Sequence, residues 1–145
     1  MNVVQKIETW GDHHQTKWLA SFRIILGLVI FFKGLYFVQN TETINAMLAN
    51  SAVSIYSVFF AHYVALAHLV GGVLIAMGLI TRTAIVFQIP VLIGAIIFVH
   101  SSHGFFYNQA ELGLSIIVLA MLLFFFVFGS GKISVDEFMR THEHT

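Results

Sequence analysis

The chain has 145 residues, of which 58% are hydrophobic and 10% charged, against about 45–50% and about 25% in ordinary soluble domains. Seven basic and seven acidic side chains cannot form the charged surface that a small soluble domain needs, which excludes a soluble enzyme, a nucleic-acid-binding protein with a basic face and a disordered chain. The chain contains no cysteine, which excludes disulfides, thiolate metal sites and covalent haem attachment. The composition therefore predicts a membrane protein.

Four apolar segments are candidates to cross the bilayer, since a span needs roughly 20 apolar residues to cross about 30 Å of hydrocarbon. They are residues 18–38, 60–80, 84–99 and 110–128. The predicted fold is an all-α membrane protein, a four-transmembrane-helix bundle that forms a single domain over residues 1–145.

Short interfacial helices are predicted outside the spans. Val3, Ile7 and Trp10 are spaced so that they share one face of a helix before the first span. After the fourth span, Ser134 and Glu137 have the spacing of a capping box, which predicts a short helix near the C-terminus.

The basic residues outside the spans all lie on one side of the predicted topology. They precede the first span, separate the second from the third, or follow the fourth: Lys6, Lys17, Arg82, Lys132 and Arg140. The connections 39–59 and 100–109 contain no lysine or arginine. By the positive-inside rule, both termini are predicted to be cytoplasmic.

Ionisable side chains within a span need a physical reason, because each costs about 2.5–3.5 kcal/mol on insertion scales. Arg23 lies five residues past Trp18, and we expect it to snorkel to the headgroups on the cytoplasmic side. The other ionisable groups lie toward the opposite, outer side: Lys33, His62, His68, His100, His103 and Glu111. Each of the four spans contributes to this set, which predicts a polar pocket that opens outward between the helices.

Glu111, at comparable depth on the last span, is the natural partner of Lys33. An ion pair between them would neutralise both charges in a low-dielectric setting. Two interpretations stay open: a structural pair that joins the first and last spans, or a site that handles a proton or binds an anion.

The histidines allow further alternatives. His100 and His103 are three residues apart and could bind zinc or non-haem iron with Glu111, or they could be solvated residues of an outer loop. His68, alone on an apolar helix, could ligate a haem or hydrogen-bond a quinone carbonyl.

Four stretches carry further sequence motifs, in this order along the chain: residues 22–34, 68–82, 108–111 and 129–136. Together these stretches resemble the DoxX family of small bacterial inner-membrane proteins. Within them, the positions that match the family pattern include Arg23, Gly71, Gly72, Arg82, Glu111 and Asp136. Relatives often carry an acidic residue where His68 stands and a histidine where Lys33 stands, so roles at those two positions do not transfer unaltered.

The resemblance implies a four-helix bundle in the bacterial inner membrane and a link to redox physiology, since relatives include a subunit of a thiosulfate:quinone oxidoreductase. The function we predict is a small subunit of a redox-linked or respiratory membrane complex. Its outward-facing pocket would hold a quinone head group, an anion or a loop of a partner, with haem or a metal ion as alternative cofactors.

A self-sufficient enzyme is not expected, because the sequence shows no nucleophile–base constellation. A non-catalytic scaffold or assembly factor is the main alternative, and a proton-coupled small-molecule transporter is a third. The expected partners are the lipid bilayer and either other membrane subunits or further copies of the chain, and no nucleic acid.

Overall fold

The computed structural model describes residues 2, 3, 5, 6, 9, 10, 17–42, 46, 56–99, 109–131 and 133–142. Within these residues the chain is helical and contains no strand. The helices are α1 (Lys17–Gln39), α2 (Ser57–Met77), α3 (Thr81–Gly94, continued by a π-helix over Ala95–Val99), α4 (Gln109–Phe128) and α5 (Val135–His142).

Three of the helical segments are long and apolar enough to cross a membrane: Lys17–Gln39, Val58–Met77 and Gln109–Phe128. A shorter apolar helix over Thr81–Ile97 takes the place of the third predicted span. At 1.5 Å per residue it covers about 25 Å, slightly less than the thickness of the hydrocarbon. The predicted all-helical fold is therefore confirmed in the described residues, with three helices long and apolar enough to cross a membrane and one shorter apolar helix.

The four apolar helices pack around one core. α1 packs extensively on α2, α2 on α3, and α3 on α4, whereas the contact between α1 and α4 is small. Every one of these helices contributes buried side chains to the centre: Leu26, Ile30, Ile75, Ala84, Ile85, Leu92, Val118, Leu122 and Phe125. Side chains of the same kind cover the outer surface, including Phe22, Phe32, Leu66, Phe87, Ile117 and Leu123, all of them exposed. An apolar surface of this extent suits contact with lipid.

Small residues set the distance between α1 and α2. A Cβ atom on Gly72 would lie 2.6 Å from the backbone nitrogen of Phe31 and 2.8 Å from the carbonyl oxygen of Gly27. A Cβ on Gly34 would lie 2.9 Å from the backbone nitrogen of Leu69. The two backbones are thus in direct contact, a mode of packing that small residues permit in membrane helices.

We expect Gly72→Ala to lower the free energy of unfolding by about 2 kcal/mol or more, because the new methyl group would collide with backbone that cannot move aside. Gly113→Ala is the matched control, since a Cβ there meets nothing within 4 Å. Alanine is the better helix former, so this control should be neutral or stabilise by up to about 1 kcal/mol. Thermal unfolding in detergent measures both, and equal effects of the two substitutions would contradict the close approach.

Candidate functional site

Polar side chains form two clusters at opposite ends of the bundle. The Lys33 end is where α1 ends and α4 begins. The Arg23 end is where α1 begins, α2 ends, α3 begins and α4 ends. The two clusters differ in burial and in the partners of their charged groups.

At the Lys33 end, an ion pair joins the first and last spanning helices. Lys33 lies six residues before the end of α1, and Glu111 lies in the first turn of α4. The Lys33 Nζ atom is 3.5 Å from Glu111 Oε1, and the two side chains are 34% and 49% exposed. The predicted ion pair is present, and neither partner is sealed inside the protein.

His68 lies in the bundle interior, halfway along α2 and only 3% exposed. Its Nδ1 atom is 2.9 Å from the carbonyl oxygen of Val64. A carbonyl oxygen can only accept, so Nδ1 carries the proton of the neutral ring and Nε2 is left as an acceptor. The ring meets the edge of Phe37, with the centroids 5.2 Å apart, and the charge of Lys33 acts on it electrostatically.

This geometry bears on the two ligands that the sequence suggested for His68. A neutral ring with an acceptor Nε2 cannot donate a hydrogen bond to a quinone carbonyl, although it can accept one from a quinol hydroxyl. Nε2 is also the ring nitrogen left to bind a haem iron, and haem ligation by His68 stays a prediction.

The remaining histidines of the predicted pocket differ in their placement. His62 is exposed, and its Nδ1 lies 2.7 Å from the Val58 carbonyl oxygen. His100 and His103 lie outside the described residues. In the part of the chain that the structure describes, no group of three His, Cys, Asp or Glu side chains could hold a metal ion. The predicted His100–His103–Glu111 metal site stays a prediction.

At the other end, Arg23 does not snorkel to the headgroups, and that expectation was wrong. The residue is 2% exposed, and its guanidinium points into the protein. Nη2 donates to the carbonyl oxygen of Ile133 at 2.9 Å and to that of Ala76 at 3.4 Å. Nη1 donates to the carbonyl oxygen of Ser130.

Arg23 stays inside because it finds carbonyl acceptors at the end of α2 and in the segment between α4 and α5. The last four carbonyls of a helix have no partner within it and carry partial negative charge. Ala76 belongs to the last turn of α2, and Ser130 belongs to the segment that follows α4. The Asp136 carboxylate adds an attractive negative charge. Arginine suits this position because one planar group reaches several acceptors.

Asp136 accepts hydrogen bonds from the free N–H groups at the start of α3. Its carboxylate accepts hydrogen bonds from the backbone N–H groups of Ile80 (2.7 Å) and Thr81 (3.2 Å), and from the Thr81 hydroxyl (3.3 Å). Its own backbone N–H donates to the Gly78 carbonyl oxygen at 3.0 Å. A carboxylate at a helix N-terminus satisfies free N–H groups and meets a favourable dipole. Asp136 thus caps a helix that begins 55 residues earlier in the chain.

The turn between α2 and α3 is held in an unusual conformation by this contact. Ile80 has φ +47°, in the left-handed region that costs a β-branched residue roughly 1–2 kcal/mol. Gly78 also has a positive φ, +72°, and a Cβ there would lie 2.6 Å from Ser134 and 2.7 Å from the Arg23 guanidinium. Only glycine fits at this position.

Two further sequence-predicted residues lie near this turn. The Arg82 guanidinium is 3.5 Å from the carbonyl oxygen of Val127 near the end of α4. The Ser134 hydroxyl accepts the Glu137 N–H at 3.1 Å, which confirms the predicted cap of the C-terminal helix. Gly71 and Gly72 are buried in α2, consistent with a structural role for the matched glycines.

Sequence reasoning marked Arg23 and Asp136 as positions of interest but missed what they bind. Most of their partners are backbone atoms, namely the carbonyls of Ala76, Ser130 and Ile133 and the amides of Ile80 and Thr81. Every residue type carries the same backbone carbonyl, so residue identity does not indicate which backbone groups will accept or donate these bonds. The one available signal was a cation within a span at a short distance from the apolar boundary, and snorkelling explained it equally well.

These observations define a small, all-helical, multi-pass membrane protein whose bundle carries a polar cluster at each end. The sequence model of the DoxX family matches residues 18–101, more than half of the chain. The chain belongs to the DoxX family. No curated protein and no solved structure matches it. Arg23, Lys33 and His68 fall within the matched range, whereas Glu111 and Asp136 follow it.

We expect Arg23→Lys to lower the free energy of unfolding by about 2 kcal/mol, because an ammonium group retains the charge but cannot reach three carbonyl oxygens in fixed directions. Arg23→Met should cost more, since it leaves those carbonyls without a charged donor. Thermal unfolding in detergent measures both. A lysine variant as stable as wild type would show that charge alone suffices at this position.

For Asp136, we expect a graded loss. Asp136→Ala removes every acceptor from the start of α3 and should cost about 1–2 kcal/mol, the usual range for a lost helix cap. Asp136→Asn keeps one acceptor oxygen and should cost less. If both variants lose the same stability, the negative charge rather than the hydrogen bonds carries the effect, and unfolding curves at low and high salt would then diverge.

Proposed function

We propose that this chain is a small membrane subunit of a redox-linked complex and that its Lys33–Glu111 pair receives a quinone head group. The observation that carries the proposal is the ion pair itself, a lysine and a glutamate 3.5 Å apart near one end of the bundle with both side chains partly exposed. Strongly polar groups in a spanning segment are costly and commonly mark a functional site.

The chemistry of the pair suits both redox forms of a quinone. The Lys33 ammonium has three donors and no acceptor, so it can donate to a quinone carbonyl while one N–H remains directed at Glu111. The Glu111 carboxylate can accept a hydrogen bond from a quinol hydroxyl. His68 lies within electrostatic range of Lys33, and its Nε2 is an acceptor. A site of this kind offers a hydrogen-bond partner to the oxidised and to the reduced head group.

The proposal includes an orientation. The Lys33 end faces outward and the Arg23 end faces the cytoplasm of a bacterial inner membrane, because lysine and arginine outside the spans gather at the Arg23 end. Both termini would then be cytoplasmic, and α3 would complete a bundle of four spans.

A second candidate function is a non-catalytic scaffold, and one observation favours it. α1 and α4 have little direct contact, so the Lys33–Glu111 bond also helps to hold the first helix to the last. In this interpretation the pair stabilises the bundle or its assembly with a partner and binds no small molecule.

Exchanging the two charges separates these candidates. Lys33→Glu combined with Glu111→Lys keeps an ion pair in place but reverses the ligand-facing groups. The probe is a photoreactive azido-quinone, added to the purified full-length protein in detergent, with ubiquinone-1 as competitor and peptide mapping as readout. Gly113→Ala is the matched control, because Gly113 lies two residues after Glu111 and a Cβ there meets nothing within 4 Å.

We expect the exchanged protein to unfold at the wild-type temperature and to lose at least about tenfold in quinone labelling, equivalent to about 1.4 kcal/mol of binding free energy. Glu111→Gln alone should reduce both stability and labelling. Labelling of the exchanged protein at the wild-type level, or no competable labelling of the wild type, would reject the quinone site and leave the scaffold.

A further inference from the structure

The C-terminal helix α5 has two chemically distinct faces. At 100° per residue, Val135, Phe138, Met139 and His142 fall on one side. The other side carries Asp136, Glu137 and Thr141. We call these the apolar face and the polar face of α5.

The polar face is the one fixed to the bundle. Asp136 bonds to the turn between α2 and α3 through its carboxylate and its backbone N–H. The segment just before α5 is bonded to α1, because Arg23 donates to the Ile133 carbonyl oxygen. These contacts set the rotation of α5 about its own axis.

Two large side chains of the apolar face are exposed in the described part of the chain, whereas Val135 is partly buried. Phe138 is 64% exposed and Met139 is 44% exposed. The Phe138 ring contacts the His142 ring, with the centroids 4.2 Å apart, so the face presents a continuous surface of rings and thioether. Two large apolar side chains directed into water on a rigidly held helix need a cover.

The position of α5 relative to the spans indicates what covers it. Asp136 is bonded directly to Ile80 and Thr81, which stand where α2 ends and α3 begins. Those residues mark the end of the apolar helices, and Met77 and Ile80 at the same level expose half of their side chains. The lipid-facing surface of the bundle therefore continues to the level of α5.

Aromatic residues mark the same level. Trp18 in the first turn of α1 is exposed. Trp10 contacts Phe128, the last residue of α4, with ring centroids 5.4 Å apart. Tryptophan is enriched at the boundary between lipid and water. The Arg23 end thus carries the side chains typical of a membrane interface.

We propose that α5 lies on the membrane surface, with Phe138 and Met139 inserted into the boundary between headgroups and acyl chains. The occupant of the apolar face is the lipid bilayer. An amphipathic helix in this setting buries its apolar face about 5–10 Å into the interface. Because the opposite face holds Asp136, one short helix connects the membrane surface to the cap of α3 and to the strained Ile80.

Site-specific labelling tests this placement without background, since the chain contains no cysteine. Phe138→Cys and Met139→Cys carry an environment-sensitive NBD dye on the apolar face. Thr141→Cys on the polar face is the matched control, because Thr141 is exposed and, among the described residues, its hydroxyl bonds to carbonyls of its own helix and to the adjacent His142. The full chain is reconstituted in vesicles of phosphatidylcholine and phosphatidylglycerol, with doxyl-labelled lipid or aqueous iodide as quencher.

We expect the dyes at 138 and 139 to emit at shorter wavelength than the dye at 141, and doxyl lipid to quench them at least about twofold more strongly. Iodide should quench the dye at 141 most. Equal quenching at all three positions would overturn the proposal. Dyes at 138 and 139 that are shielded from iodide and also from doxyl lipid would likewise overturn it, because protein rather than lipid would then cover the face. Wild-type unfolding temperatures of the labelled variants confirm that the fold is retained.

Discussion

The structure depends on a buried cation, the guanidinium of Arg23, that finds its partners among backbone carbonyls. A charge inside a membrane protein is tolerated only where donors and acceptors are satisfied within the protein. Arg23 meets this condition through its two Nη atoms, which donate to the carbonyl oxygens of Ala76, Ser130 and Ile133, whereas its buried Nε has no hydrogen-bond partner in the described part of the chain. Since those carbonyls come from the end of α2 and from the segment between α4 and α5, the guanidinium holds these two parts of the chain together.

Arg23 and Lys33, the two cations in the interior of α1, show two ways of stabilising a charge within a span. Arg23 is buried, is bonded to carbonyls and has Asp136 as a nearby negative charge. Lys33 is partly exposed and is bonded to a carboxylate on another helix. A buried guanidinium bonded to backbone carbonyls suits a structural role, whereas a half-open ion pair can exchange one of its bonds for a bond to a ligand. This difference in enclosure is why the proposed functional site lies at the Lys33 end.

Sequence reasoning succeeded where a side chain carries the signal. The Lys33–Glu111 pair was predictable because opposite charges at matching depths of two spans have few other solutions, and the Ser134 cap was predictable because its spacing is local. The burial of Arg23 was not, since its partners are main-chain atoms. The tautomer and burial of His68 also required the structure, because they depend on how α2 is rotated toward α1 at Gly34 and Phe37.

Taken alone, the sequence determined that this protein lies in a lipid bilayer and that its secondary structure is helical. Long apolar segments in a chain with few charges can satisfy their backbone hydrogen bonds in lipid only as helices, and the placement of lysine and arginine sorted the connections into two sides. The tertiary structure decided which face of each helix turns inward. That choice rests on atoms that composition does not record: the contact between the backbones of α1 and α2 at Gly72, the carbonyls gathered by Arg23, and the amides of α3 capped by Asp136. The tertiary structure therefore gives two of these charges different surroundings. Arg23 is buried among backbone carbonyls, whereas Lys33 is partly exposed beside Glu111.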